Sequence, residues 1–179
     1  MGINRRKSLT LVELLVAVGV VGLMLPAVFN IFFAIIRQQL VLIAYTEMKQ
    51  QGDSAQRNIK NLLQNRAAYV SDAGYESTDV CPLITTPTPT YSPSFYLKDR
   101  EGSTIKLYQE LAENRIASRS SQIYYLTSNS VMISELGFTC YHVNEFTPPI
   151  ISAKFTVSKS TAFKDVSLPY SFSVKLRDY

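Results

Sequence analysis

Apolar and polar positions fall into three successive patterns along the chain, and each predicts a different element. The first is an unbroken apolar run: residues 14–36, 23 in number, hold no ionisable side chain, and Asn30 is their one clearly polar member. About 20 helical residues cross a hydrocarbon core, so the run is long enough to span a membrane with some tilt. A helix of a soluble core would show a polar face at this length. A secretory leader has an apolar region of about 7 to 15 residues ending at a small-residue cleavage site. This run instead leads straight into Arg37 and further helical pattern, so it reads as a retained anchor. Arg5, Arg6 and Lys7 stand just before it, and the positive-inside tendency keeps that end in the cytoplasm. Everything beyond Arg37 is expected outside.

The second pattern is amphipathic. Leu40, Ile43 or Ala44, Met48, Ala55, Ile59, Leu62 or Leu63, and Ala67 recur at steps of three and four, which predicts helix over residues 37–69 with a bend at Gly52. Residues 70–93 then lose periodicity, and Pro82, Pro87, Pro89 and Pro93 punctuate them among Thr and Ser. This is a loop, serving either as a stiff spacer or as a contact surface. The third pattern, over residues 94–179, alternates as strands do. Residues 95–98 and 104–108 flank Asp99-Arg100-Glu101-Gly102 as a hairpin, and residues 123–126 and 131–134 flank Thr127-Ser128-Asn129-Ser130 in the same manner. Further strands are expected at 137–143, 151–157 and 171–176. A long helix carrying an antiparallel sheet is an α+β architecture.

Composition narrows the chemistry. At 179 residues, 46% hydrophobic and 18% charged, the chain is a folded protein with one ordinary core and an appended segment. Seven Gly and one His leave little for a phosphate-cradling loop and nothing for a multi-histidine metal site, so no metal or cofactor is expected. The net charge of +4 owes three charges to Arg5, Arg6 and Lys7. The other 15 basic side chains nearly balance 14 acids without forming a basic stripe, and nucleic acid is not expected as a direct partner. Ser103 and Lys106 have the Ser-x-x-Lys spacing of some hydrolases, but strand positions three apart point to opposite faces. His142 has no second ligand beside it and reads as a sheet residue; Asp99 and Glu101 read as solvated turn residues. No enzymatic activity is expected.

Glu13 interrupts the apolar stretch that begins at Leu9, and a charge within a membrane costs several kcal/mol unless it is shallow or paired. No lysine or arginine follows within the span. Either the carboxylate reaches back to the interface, or another molecule supplies its partner. The segment Arg5-Arg6-Lys7-Ser8-Leu9-Thr10-Leu11-Val12-Glu13-Leu14-Leu15-Val16-Ala17 resembles the N-terminus of type IV prepilins and pseudopilins, and the ending Phe172-Ser173-Val174-Lys175-Leu176-Arg177-Asp178 resembles the last strand of their larger minor members. In that family a dedicated membrane peptidase removes a basic leader before an apolar residue, and a glutamate stands fifth in the mature chain. With Leu9 first, Glu13 is fifth.

The resemblance implies a leader over residues 1–8, cleavage between Ser8 and Leu9, and N-methylation of Leu9. It also implies assembly through residues 9–36, where the amino group of Leu9 meets Glu13 of a neighbouring subunit. The family usually has Gly before the cut, and this chain has Ser8. In the span, Pro26 cannot donate to the carbonyl of Gly22, and Gly19 lies one turn earlier. These residues either form a weak point that lets the helix open in a filament or are simply tolerated in a membrane helix. The implied partners are the prepilin peptidase, other major and minor pilins, the inner-membrane assembly platform and lipid. The implied location is the cytoplasmic membrane, then an extracytoplasmic filament. The competing expectation is a permanently anchored extracytoplasmic binding module that does not polymerise. Cys81 and Cys140 lie in the part expected outside, where disulfides persist. A bridge between them, preferred here over two buried thiols, closes a loop of about 60 residues and stabilises by roughly 4 kcal/mol.

Overall fold

The structure is a computed structural model and describes residues 10–71, 81, 91–144 and 146–176. Its elements are one helix, α1 (Leu11–Asn65), followed by β1 (Ala67–Ser71), β2 (Ser94–Asp99), β3 (Thr104–Glu110), β4 (Arg115–Arg119), β5 (Ile123–Tyr125), β6 (Met132–Tyr141), β7 (Ile150–Ser160) and β8 (Asp165–Lys175). The class is α+β. The chain divides into two units, one ending at Leu42 and the other beginning at Ile43.

The first unit holds the N-terminal part of α1. Its apolar side chains are exposed around the whole circumference, from Leu11 at 80% and Leu23 at 81% to Phe33 and Ile35. A helix that is apolar all round has no face for water, and this one is long and apolar enough to cross a membrane. Helix is maintained through Gly19, Gly22 and Pro26.

The second unit is built on the amphipathic part of α1. Ala44, Met48, Gly52, Ala55, Ile59 and Leu63 are buried along one face, matching the expected stripe, with Ala44 rather than Ile43 turned inward, except at Leu40, which is exposed. Two antiparallel sheets complete this unit: β1-β2-β3-β4-β5 and β6-β7-β8, each in sequence order. Alternation places Phe95 and Leu97 of β2, Ile105 and Leu107 of β3, and Ile151, Ala153, Phe155 and Val157 of β7 in a common core with Met48, Ile59 and Leu63. The sheets are joined where Ser92 and Phe138 exchange backbone hydrogen bonds, each of 2.8 Å, and where the Ile133 amide donates to the carbonyl of Asn114. Pro169 sits within β8. As an edge strand, β8 tolerates a residue without a backbone donor, which also blunts that edge against further pairing.

Two expectations about local structure are corrected. Helix ends at Asn65, and residues 67–69 belong to β1, which pairs with β2. Residues 123–126 and 131–134 do not form a hairpin: β5 pairs with β4, while β6 pairs with β7. Gly52, where a bend is expected, lies inside helix and lets a side chain approach the helix backbone. The turn at residues 99–102 is as expected. The Gly102 amide donates to the Asp99 carbonyl at 3.1 Å. The Asp99 carboxylate accepts from the amides of Glu101 and Ser103, and Gly102 takes the positive φ of 81° that favours glycine.

Candidate functional site

Thr10 and Glu13 form the start of α1 together. The Thr10 carbonyl accepts the first helical hydrogen bond, from Leu14. The Glu13 amide donates to the Thr10 hydroxyl oxygen at 3.3 Å. In return, one Glu13 carboxylate oxygen accepts from the Thr10 amide at 2.9 Å and the Thr10 hydroxyl at 3.0 Å. This is a reciprocal capping box, with Thr at the cap position and Glu three residues on. The carboxylate that sequence reasoning left to the interface or to another molecule thus has a partner within its own chain. The signal was present as Thr-x-x-Glu ahead of an apolar run.

Ser8 and Leu9, at the expected cleavage and methylation position, and Arg5, Arg6 and Lys7 of the leader lie outside the described residues. At Gly19 and Gly22 the helix surface is open, with no atom within 4 Å of where a Cβ would stand. A second helix could therefore approach the backbone closely here.

Cys81 and Cys140 are bridged, with Cα atoms 5.2 Å apart, so the loop that sequence marked as proline-rich is tied to β6. Among the described residues no group of three or more His, Cys, Asp or Glu side chains is placed to hold a metal. Ser103 and Lys106 have separate attachments: the Ser103 amide donates to Asp99 in the turn, while the Lys106 ammonium lies over the rings of Tyr96 and Tyr108. His142 places Nδ1 2.7 Å from the Thr147 carbonyl oxygen. A cavity of about 630 Å³ opens beside α1, lined by Asn58, Asn61, Asn65 and Arg66 on one side and by Ser118 and Tyr124 of the first sheet on the other.

The amphipathic part of α1 is held to the sheets by polar contacts as well as by the core. The Glu47 carboxylate pairs with the Lys159 ammonium, which holds the Glu47 carboxyl below its ordinary value, with a hydrogen bond to Ser130 adding to the effect. The Ser128 amide donates to the Gln51 side-chain oxygen at 3.1 Å. The Tyr170 hydroxyl donates to the Lys49 carbonyl at 3.1 Å and the Asp53 carboxylate at 3.2 Å. Burial, followed by the neighbouring Asp53 charge and its hydrogen bond, pushes Tyr170 up to about 12.

Compared with known protein families, with curated proteins and with solved structures, the chain shows no significant match in any of the three.

Proposed function

We propose that this chain is a minor pilin or pseudopilin subunit of a type IV pilus-like filament. It is cut between Ser8 and Leu9, methylated at Leu9 and assembled through its N-terminal helix. The observation that carries this reading is a lone carboxylate, Glu13, in the first turn of α1, whose N-terminal part has its apolar side chains exposed all round. Such a helix is stable in lipid or in a bundle of its own kind, because water would meet apolar surface on every side. Moved away from water, the carboxylate favours a cation, and the amino group freed at Leu9 supplies one four residues away in sequence on each neighbouring subunit. The small residues Gly19 and Gly22 would allow helices to approach closely, and Pro26 marks where the helix could open. The α+β architecture fits a pilin. In this reading the chain does mechanical work in pilus assembly, secretion or DNA uptake, with the prepilin peptidase, other pilins and the inner-membrane platform as partners.

The capping box favours a second reading, since it gives Glu13 a role without any neighbour: a permanently anchored module whose head binds a ligand outside. A Glu13→Gln variant separates the two. Glutamine can keep the capping hydrogen bonds but carries no charge. With the peptidase and partner pilins present, the filament reading expects Glu13→Gln to remain in the membrane and disappear from sheared filaments. Equal recovery of the variant and the unaltered chain in that fraction would leave the anchored module as the better account.

A further inference from the structure

The outward face of the first sheet gathers cations and tyrosines that are scattered in sequence. Antiparallel register places Tyr96, Lys106, Arg119 and Ile123 in one row across β2, β3, β4 and β5. The next row runs from Tyr108 through Ala117 to Tyr125. The rows stand about 7 Å apart along the strands, and neighbouring strands about 4.8 Å apart.

Lys106 and Arg119 are direct cross-strand partners. Like charges in that position oppose sheet formation, and no acid lies in their row. The acids of this face stand at its end, where Glu110 pairs in register with Arg115 and Glu113 bonds the Arg115 guanidinium at 2.7 Å. The Arg119 side chain makes no hydrogen bond or ion pair among the described residues. Among the described residues the Lys106 ammonium has only ring faces, 5.2 Å from the Tyr96 centroid and 5.0 Å from that of Tyr108. Outside the leader the chain is nearly neutral, so this paired cation is a local concentration of charge.

We propose that this face binds a single-stranded polynucleotide, with phosphates on Lys106 and Arg119 and bases stacked on Tyr96 and Tyr108 as the Lys106 ammonium turns from their rings to a phosphate; Tyr125 is already covered by the Arg115 guanidinium, 3.9 Å from its ring centroid. A bound anion would relieve the repulsion between the paired cations, and the rings beside them suit a ligand that repeats anions and flat rings together. A sulfated polysaccharide matches the charge, but its puckered sugar rings lack the flat aromatic faces of bases. Cross-strand contact between tyrosine and lysine explains the position of Lys106 without a ligand. It does not explain the opposed Arg119. The inference stands whether or not the chain polymerises.

The test uses the full chain in a neutral detergent and a fluorescein-labelled thymidine oligomer of about 20 nucleotides, longer than a typical single-strand site. Fluorescence anisotropy should show binding that weakens between about 50 and 200 mM salt. Lys106→Gln with Arg119→Gln should lower affinity about tenfold or more and flatten the logarithmic salt slope by about 1.4, since each phosphate contact contributes about 0.7. Arg119→Gln alone, at an exposed position, should remove about half of that slope change, and a Tyr96→Ala variant should weaken binding at least fivefold. Lys164→Gln, in the β7–β8 turn, should bind as the unaltered chain does; circular dichroism checks that each variant is folded. Absence of binding at the lowest salt would overturn the proposal. Equal affinity for duplex, or displacement by heparin from a chain on which Tyr96→Ala has no effect, would overturn the single-stranded assignment.

Discussion

Tyr170 of β8 lies across the backbone of α1 at Gly52. A Cβ on Gly52 would stand 2.5 Å from the Tyr170 hydroxyl oxygen and well inside van der Waals contact with ring atoms Cε2 and Cζ. The ring is also stacked on Phe155 of β7, with centroids 5.1 Å apart, so it has a packed side as well as a hydrogen-bonded end. Gly52→Ala should therefore force helix and strand apart and lower stability by about 1 to 3 kcal/mol, as overpacking does. Thermal unfolding of Gly52→Ala, Tyr170→Leu and the double variant checks this. Coupling through the contact makes the double variant more stable than the sum of the single losses implies; simple additivity would contradict it.

The same tyrosine gives a dependence on alkaline pH. Its folded value of about 12 lies above the ordinary value near 10, because burial and Asp53 favour the neutral hydroxyl. The contribution is fully present below about pH 10 and is lost as pH rises through about 12. Tyr170→Phe keeps the ring and removes the hydroxyl. The stability difference between the unaltered chain and Tyr170→Phe should shrink over that interval, and a constant difference would contradict the assignment.

Glu47 and Lys159 act at the acid end. Pairing lowers the Glu47 value in the folded chain, so the contribution is present above the ordinary carboxylate range near pH 4 to 5 and is lost as pH falls through the lowered value. The pair is partly exposed, and its worth is at most about 1 kcal/mol. Glu47→Gln should be slightly less stable than the unaltered chain at pH 7, with the two converging in acid. Parallel curves would show that the ion pair contributes nothing.

The Cys81–Cys140 bridge spans 59 positions of sequence. In the chain-entropy model such a loop is worth roughly 4 kcal/mol. Reduction, or replacement of both cysteines by serine, should lower the unfolding midpoint of the head markedly and leave the helical content of the N-terminal segment in place. Far-UV circular dichroism in detergent, with and without reductant, measures both.

Elements dictated by local periodicity were legible in the chain. The apolar run and the stripe from Ala44 to Leu63 follow from side-chain character alone, as does the turn at Gly102, whose positive φ singles out glycine. Features that depend on distant partners were not. β1 was hidden because Ala67 continues the helical spacing, and only pairing with β2 draws it into a strand. The apparent hairpin around residues 127–130 failed because Thr127 turns inward instead: its hydroxyl accepts from the Ile116 amide at 3.1 Å, and its carbonyl accepts from Arg115.

The candidate site divides along the same line. Thr10 and Glu13 are three residues apart, and the capping motif could have been read directly. The row of Lys106 and Arg119 could not, because thirteen positions separate them and only the β3–β4 register makes them neighbours. A count of charges along the sequence reports near-neutrality and misses a face on which two cations meet without an acid between them.

The most direct measurement is the mass of the mature N-terminus after co-expression with a prepilin peptidase. Processing as a filament subunit predicts a chain beginning at Leu9 with a methylated amino group, and the same product, in equal or greater yield, from Ser8→Gly. An intact leader on both chains, under conditions in which a known prepilin is cut, would contradict the account.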